Sequence, residues 1–224
     1  LISGTTTHSM GTKQSSTSDS DATQDTKTFI QSFPTAFHEQ YGLSLGDPDN
    51  TPQVIGKGGF STIFLAHGTG NNAHTQYAVK YINIAILEQK ITQGELVRAK
   101  VENNIRNTRR GLQVLQNFSG HPAIIHLHSM YDAKASLITV MEHANGGDLY
   151  DRITSTTQPK LNVQQIQQII KQIASGISFL HEMGSCHRDV KCENICLVED
   201  NSHGARWKLC DFGFSRDLED DDRW

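Results

Sequence analysis

Four short segments of the chain alternate apolar and polar residues or carry runs of β-branched residues. Each is bounded by glycine, proline or polar residues, and this pattern is typical of β-strands. The predicted strands cover residues 52–56, 60–66, 76–82 and 136–142. Because the first three follow one another closely along the chain, they predict a small sheet.

Two longer segments carry apolar residues at spacings of three and four, which places them along one stripe of a helix. In residues 95–116 the stripe consists of Val97, Val101, Ile105, Leu112 and Leu115. Residues 163–183 have the clearer pattern, with Asn162 suited to the N-cap and Gly184 to the C-terminal stop. The chain is therefore predicted to form a small sheet with one helix, followed by a helical region with short loops.

The first 28 residues differ in composition from the rest, because 14 of them are Ser or Thr and almost none is apolar after Ile2. Such a segment buries too little apolar surface to offset the entropy of ordering it. We predict a Ser/Thr-rich, mostly disordered segment over residues 1–50, with order beginning between Phe29 and Thr51. The segment is either a linker or a phosphorylated regulatory arm.

Composition and charge exclude several classes of protein. The chain has 224 residues and 24.9 kDa, which is enough for one or two cores. Its 20 basic and 24 acidic side chains give a net charge of −4, so neither a nucleic acid nor an anionic membrane is an expected partner. No apolar run approaches the roughly 18 residues of a spanning helix and no leader opens the chain. We therefore expect an intracellular, cytoplasmic protein, and its four cysteines lack the paired spacing of a disulfide or zinc framework.

A glycine loop, residues 56–63, joins the first two predicted strands. Glycines allow backbone N–H groups to approach phosphates closely. A strand follows this loop, whereas a dinucleotide-binding loop would be followed by a helix. In the next strand Ala78 and Lys80 share one face. A small residue beside a lysine suits the wall of an adenine site next to a phosphate-binding ammonium group.

Two further motifs are His187–Asn194, which contains His-Arg-Asp and Lys191, and Asp211-Phe212-Gly213. A glycine loop, a strand lysine and these two motifs in this order resemble the eukaryotic protein kinases. His121-Pro122 and the segment 141–149 also resemble kinase segments, the second being the hinge. The resemblance covers about Thr51 to Trp224.

The resemblance implies an α+β, bilobal protein-kinase fold. Residues 51–144 would form an N-lobe with a small antiparallel β-sheet and one helix, together with the hinge. Residues 145–224 would form part of a mainly helical C-lobe. The sequence stops 11 residues after Gly213, so the C-lobe is expected to be incomplete and the chain to be a fragment.

Catalytic and metal-binding roles follow from the resemblance, residue by residue. Asp189 would accept or orient the substrate hydroxyl proton, and Lys191 would steady the transferring phosphoryl group. Lys80 would bind the α and β phosphates of ATP. Asn194 and Asp211 would hold Mg²⁺ ions, for which carboxylate and amide oxygens are suitable ligands.

The resemblance also implies a nucleotide site. The residues expected to bind ATP are Gly56, Lys57, Gly58, Gly59, Phe60, Ser61, Ile63, Ala78, Lys80, Met141, Glu142, Ala144, Asp148 and Cys196. The residues that match the family's regulatory stack are Leu115, Leu127, His187 and Phe212.

The implied activity is ATP-dependent phosphorylation of serine or threonine in protein substrates, because Lys191 follows Asp189 by two residues as in serine/threonine kinases. The segments 146–153 and 214–216 resemble the calcium/calmodulin-dependent group. Asp148 and Glu193 fall where basophilic kinases place acids that pair with substrate arginines. Protein substrates with basic residues upstream of the phosphoacceptor are therefore expected.

One departure from the family supports an alternative function. Active kinases pair the strand lysine with a glutamate on the following helix, and counting back from His121 places Gly111 at that position. Glu102 lies about half a turn away from that face of the helix. Loss of the pair would leave Lys80 poorly positioned. The alternative is a pseudokinase or nucleotide-binding scaffold without useful turnover.

Overall fold

The structure, a computed structural model of the chain, describes residues 29–46, 51–118, 120–201 and 204–217. The stretch 1–28, which the composition predicts to be disordered, lies outside the described residues. The strands are β1 (Tyr41–Leu43), β2 (Leu45–Gly46), β3 (Thr51–Pro52), β4 (Val54–Lys57), β5 (Thr62–Gly68), β6 (Gln76–Asn83), β7 (Leu127–Asp132), β8 (Ser136–Glu142), β9 (Ser185–Cys186), β10 (Ile195–Asn201), β11 (Gly204–Leu209) and β12 (Arg216–Asp217). The helices are α1 (Thr35–His38), α2 (Ile84–Thr92), α3 (Arg98–Phe118), α4 (Leu149–Thr154) and α5 (Val163–Glu182).

Six strands form one antiparallel sheet in the order β1-β5-β6-β8-β7, and β4 also pairs with β5. Strands β1 and β4 pair with opposite halves of β5, where Tyr41 lies opposite Gly68 and Val54 opposite Phe64. The small β2–β3 hairpin lies between them in the sequence. One edge of the sheet is therefore formed by two short strands instead of one long strand.

The two faces of the sheet have different surroundings, as the alternating side chains of β6 show. Tyr77, Val79 and Tyr81 are buried in an aromatic core on one face. Ala78 and Lys80 face the other side, where they line a cavity. Because successive side chains of a strand point in opposite directions, one strand supplies both a core and a site.

Four aromatic residues spaced by four, Phe29, Phe33, Phe37 and Tyr41, cover the aromatic face of the sheet. We call them the aromatic cap. The ring of Phe33 stacks on that of Tyr81 at 5.1 Å, and Phe37 is fully buried. The cap buries a face that the strands leave apolar, so the described structure begins within the predicted interval from Phe29 to Thr51. The domain boundary at Thr51 stays a prediction.

Helix α3 confirms the predicted helix, although its bounds and its stripe differ. Val101, Ile105, Leu112 and Leu115 are buried, whereas Val97 precedes the helix and is 68% exposed. A second helix, α2, was not predicted and corrects the expectation of one N-lobe helix. Its nine residues are too few for a periodic pattern to stand out, and the Asn83 side chain caps it by accepting from the N–H of Ile86.

The part of the chain after the sheet contains α4, α5 and the β10–β11 hairpin. Helix α5 confirms its prediction, with a capping box between Asn162 and Gln165 and with Gly184 in the left-handed region. Ile169, Ile173 and other apolar residues of α5 join those of α3 and β11 in the larger core. Among the described residues, none of the helices has both the length and the apolar character needed to cross a bilayer.

The burial of Phe37 leads to a prediction about stability. We expect Phe37→Ala to lower the free energy of unfolding by about 3–5 kcal/mol, since it removes a fully buried ring and leaves a cavity. Thermal or urea unfolding measures the loss. Tyr150→Ala, at an aromatic residue that is 52% exposed, is the control and should change stability little. Equal effects of the two substitutions would contradict a structural role for the aromatic cap.

Candidate active site

A cavity of about 300 Å³ lies between the sheet and the helical part of the chain. It brings together residues that are far apart in the sequence and that were predicted to act together. The predicted site residues that line it are Ile63, Ala78, Lys80, Met141, Glu142, Ala144, Asn194, Cys196 and Asp211. Strands β5, β6 and β8 supply the first five, Ala144 follows β8, and the β10–β11 hairpin with its flanking residues supplies the others.

Lys80 and Asp211 form an ion pair inside this cavity, with 2.8 Å between Lys80 Nζ and Asp211 Oδ1. Burial opposes ionisation of Asp211, but the charge and hydrogen bond of Lys80 outweigh it. The N–H of Gly213 also donates to the carboxylate. The pKa of Asp211 is consequently lowered, and the residue is a carboxylate at neutral pH.

Asp189 is the centre of a second cluster of polar side chains. Lys191 Nζ lies 2.9 Å from Asp189 Oδ2, and this hydrogen bond raises the pKa of Lys191. Asn194 donates from Nδ2 to both the carboxylate and the backbone carbonyl of Asp189, at 2.8 Å each. Because Nδ2 is used in this way, Oδ1 is the atom of Asn194 that remains available to bind a cation.

His187 connects the two clusters through the backbone. Its Nε2 donates to the carbonyl of Cys210 at 2.9 Å, and its Nδ1 accepts from the N–H of Asp189 at 3.3 Å. Burial is the main reason why the pKa of His187 is lowered, so the ring is neutral and both nitrogens are engaged. Its ring also contacts that of Phe212 edge to face at 4.7 Å.

Backbone strain is concentrated in the same two motifs. Among the described residues other than glycine, Arg188 and Asp211 are the ones with positive φ, at 67° and 53°. A left-handed conformation is unfavourable for such residues and persists where surrounding contacts hold it. The strain therefore marks both motifs as places where side-chain direction takes priority over local stability.

Several predicted residues lie outside the lining of the main cavity. Residues 58–61 border a separate cavity on the other side of the glycine loop, next to Phe29, and the ring of Phe60 packs against the larger core. Gly56 lies opposite Ile63 in the β4–β5 pair, and Lys57 is exposed. Asp148 accepts from the N–H of Asp151 and caps helix α4. The assignments of these residues to nucleotide binding remain predictions.

The cavity is also lined by residues that the sequence did not assign to it: Ile55, Thr108, Leu112, Ile125 and Cys210. It is lined as well by His143 of the predicted hinge and by Glu193, which was predicted to pair with substrate arginines. Leu112 belongs to the predicted apolar stripe, and Thr108 lies four residues before it on the same face of α3, so the stripe could have indicated Thr108. A hydrogen bond with the thiol of Cys196 and burial both raise the pKa of Cys210 well above its ordinary value. Cys210 is therefore a protonated thiol at neutral pH and a poor nucleophile.

Gly111 lies on α3 where the helix meets the Asp211-Phe212-Gly213 turn. A Cβ atom built on Gly111 would lie 1.6 Å from the carbonyl oxygen of Phe212, so no side chain fits there without movement. Glu102, an acid of the same helix, pairs with Arg98 at 3.6 Å. The contact that positions Lys80 in this structure is thus the one with Asp211.

A buried ion pair joins Lys208 of β11 to Glu142 at the end of β8, with side chains only 8% and 17% exposed. Glu142 also accepts from the N–H of His126 at 2.6 Å. Both charges are therefore partnered, as burial requires. Because Glu142 lines the cavity, this pair connects its hinge edge to the segment that leads into Asp211.

The hinge ion pair leads to a second prediction. Lys208→Met should destabilise the protein by about 3–5 kcal/mol, because it leaves the carboxylate of Glu142 buried without its cation. Adding Glu142→Gln should restore part of the loss, since the neutral amide still accepts from His126. Chemical denaturation measures both. If the double variant is no more stable than Lys208→Met, burial of an unpaired charge is not the cause.

Comparisons with known proteins show the family of this chain. The family described as protein kinase domain matches residues 50–223. Serine/threonine-protein kinase SAPK9 of Oryza sativa subsp. japonica is 33% identical over 171 residues, which are 76% of this chain and 41% of that protein. Calcium/calmodulin-dependent protein kinase type 1 of Caenorhabditis elegans is 32% identical over 163 residues, 73% of this chain and 41% of that protein.

A third relative is the calcium and calcium/calmodulin-dependent serine/threonine-protein kinase of Lilium longiflorum, 29% identical over 197 residues, 80% of this chain and 36% of that protein. The chain thus spans about two fifths or less of the length of these relatives. The family match covers strands β3 to β12, the cavity and both polar clusters, but it begins after the aromatic cap. The chain therefore belongs to the protein kinase family, and its curated relatives are serine/threonine kinases, including calcium/calmodulin-dependent types.

Proposed function

We propose that the protein containing this chain transfers the γ-phosphoryl group of ATP to serine or threonine residues of protein substrates. The observation that supports this best is the pair of polar clusters, Lys80 with Asp211 and Asp189 with Lys191 and Asn194. Both belong to motifs that the family uses for this reaction. Positioning and charge neutralisation are the main contributions of a protein to phosphoryl transfer.

The cavity suits a nucleotide in shape and chemistry. Ile63 and Ala78 on one side and Cys196 on the other provide apolar walls for an adenine ring. The backbone of residues 142–144 at the hinge supplies donors and acceptors for its polar edge. Lys80, on the same face as Ala78, would then bind phosphate oxygens while the adenine occupies the hinge side.

The donor set of the site fits Mg²⁺. The carboxylate of Asp211 and the amide oxygen of Asn194 are hard oxygen ligands that line one cavity. When bound, Mg²⁺ neutralises charge on the phosphate oxygens. Asn194 can serve in this way because its amide nitrogen is already committed to Asp189.

Asp189 is the residue best placed to orient the substrate hydroxyl and accept its proton. Asn194 donates a hydrogen bond to its carboxylate, and its backbone N–H donates to His187. The carboxylate therefore needs little reorganisation. Lys191, on the same carboxylate, is placed to neutralise charge on the phosphoryl group. The two residues act on the same transferring group from one loop.

A direct test is Asp189→Asn in the full-length protein. We expect phosphoryl transfer to a peptide to fall by about 10²–10⁴-fold, because the variant lacks the proton acceptor. The affinity for MgADP should change little, since the oxygen of the substituted amide would still accept from Asn194. Asp151→Asn, on the exposed side of helix α4, is the matched control. Transfer that survives Asp189→Asn would refute the proposed mechanism.

We propose further that basic residues upstream of the phosphoacceptor favour a substrate. Glu193 is exposed at the rim of the cavity, and the turn that carries it packs against helix α4, which begins after Asp148. Guanidinium groups pair well with such carboxylates. Asp148 already caps α4, so Glu193 is the carboxylate better placed to bind a substrate.

This preference can be measured with paired peptides. We expect Arg two or three residues before the acceptor to raise kcat/KM by about tenfold, and Glu193→Gln to remove most of that gain. The same variant should leave the rate with an Arg-free peptide unchanged. A peptide array without any gain from Arg would overturn the proposal about substrates and leave phosphoryl transfer itself untouched.

The second candidate function is a pseudokinase that binds nucleotide without useful turnover. Gly111 favours it, because the helix offers no carboxylate to Lys80 at that position. The retained Lys80, Asp189, Asn194 and Asp211 favour the enzyme. Nucleotide binding with no transfer to any peptide, unchanged by Asp189→Asn, would favour the pseudokinase.

A further inference from the structure

Among the described glycines, Gly111 lies very close to the backbone of another segment. The built Cβ would lie 1.6 Å from the carbonyl oxygen and 2.6 Å from the carbonyl carbon of Phe212, and 3.3 Å from the nitrogen of Gly213. These are backbone atoms, which cannot rotate out of the way as the end of a side chain can. The backbone of helix α3 therefore touches the backbone of the Asp211-Phe212-Gly213 turn, and glycine is the residue that permits this approach.

A second contact lies one helical turn before Gly111. Asn107 Oδ1 accepts from Arg216 Nη2 at 2.9 Å, and Arg216 belongs to β12, just after the turn. Residues four apart lie on the same face of a helix. Helix α3 thus contacts this segment at two positions that are one helical turn apart, Asn107 and Gly111.

A third position continues the same line. Leu115 is four residues after Gly111, is 1% exposed and belongs to the core that contains the ring of Phe212. Asn107, Gly111 and Leu115 therefore form one continuous face of α3 against residues 212–216. We call this face the helix clamp.

The helix clamp reaches Asp211 through the two residues that follow Asp211 in the chain. Gly213, whose nitrogen lies near Gly111, donates its N–H to Asp211 Oδ1 at 3.3 Å. Asp211 itself has a left-handed backbone, which surrounding contacts must hold. Residues 212 and 213 therefore contact both the helix backbone and Asp211, so a restraint on them also acts on Asp211.

We propose that Gly111 is a positioning residue, and that the helix clamp orients Asp211 for the metal-bound nucleotide in place of a helix glutamate paired with Lys80. Gly111 is then an adaptation of the site, and restoring a glutamate there would displace the turn. The inference rests on the proposed function only for the identity of the ligand, a nucleotide with a divalent cation.

The test compares Gly111→Ala with Gly176→Ala in the full-length protein. Both add a methyl group to a glycine within a helix, and alanine is the better helix former at both positions. At Gly176 in α5 the added Cβ would lie 3.2–3.3 Å from the nearest atoms of Ala123, a contact that a shift of a few tenths of an ångström would relieve. The two variants therefore differ in the contact with the turn and share the change in helix propensity.

Calorimetric titration with ADP, with and without Mg²⁺, supplies the main readout. For Gly111→Ala we expect the gain in ADP affinity caused by Mg²⁺ to shrink by about fivefold or more, with metal-free affinity unchanged. Gly176→Ala should keep the parent's gain. The proposal would be overturned if both variants showed the same Mg²⁺-dependent gain. It would also be overturned if Gly111→Ala lost as much ADP affinity without Mg²⁺ as with it.

Two variants of Asn107 and the variant Gly111→Glu complete the test. Asn107→Leu should shrink the Mg²⁺-dependent gain without any clash, and Asn107→Asp should preserve it, because a carboxylate still accepts from Arg216. Gly111→Glu should bind MgADP more weakly than Gly111→Ala. A Gly111→Glu variant with higher MgADP affinity than the parent would show that the glutamate was merely lost, and would overturn the proposal.

Hydrogen exchange separates this inference from the proposed function. If the parent binds no nucleotide, the proposed function fails, and the clamp is judged from amide exchange over residues 211–217. Faster exchange there in Gly111→Ala than in Gly176→Ala, with the rest of the chain unchanged, supports the clamp. Equal exchange in the two variants overturns it.

Discussion

The ion pair between Lys80 and Asp211 is the interaction on which the geometry of the site depends, since it joins residues 131 positions apart. Lys80 is fixed by the register of β6 between its neighbours, with Ile63 opposite it on β5 and Thr139 on β8. A shift of one residue would turn Lys80 toward the aromatic face and Tyr81 into the cavity. The aromatic cap therefore matters to the site, because burial of the opposite face specifies which residues of β6 point inward.

Asp211 belongs to a short segment, residues 208–211, that is joined to the sheet by two ion pairs. Lys208 at the end of β11 pairs with Glu142 at the hinge, and Asp211, three residues later, pairs with Lys80 across the cavity. The two ion pairs thus fix both ends of a short stretch of backbone. The Lys208–Glu142 pair is buried, and a buried ion pair contributes little net stability but strongly disfavours arrangements in which either charge loses its partner. Their main effect here is to specify one arrangement of the cavity.

The sequence predicted those parts of the structure in which local pattern and tertiary contact agree. Helix α5 has a strong period, an N-cap and a terminal glycine, and all three are found in the structure. Helix α2 was missed because nine residues give too weak a periodic signal, and Val97 was misplaced because one apolar residue before a helix resembles its first turn. The aromatic cap was missed for a different reason. Its residues lie among mixed polar and apolar ones, and their packing depends on a sheet formed by later strands.

In the site, motifs identified residues whose chemical type is required, but contacts made through the backbone left no signal. Lys80, Asn194 and Asp211 were found in this way and meet in one cavity. Thr108 and Ile125 line the same cavity and belong to no motif, because any side chain of suitable size can serve there. Gly111 was recognised only as a missing acid. Its contact with the carbonyl of Phe212 depends on how two backbones approach, which a single sequence does not encode locally.

The missing helix acid also changes the charge balance of the cavity. Each lysine at the centre of the site is paired with one carboxylate, Lys80 with Asp211 and Lys191 with Asp189, so these four groups carry no net charge. A helix glutamate would add a negative charge close to the place where phosphate oxygens bind, and that charge would compete with them for Lys80. Without it, Lys80 is free to neutralise phosphate once Asp211 turns to a cation. What the glutamate would have supplied is position, and position can also come from strand register and from close packing of a helix against the turn.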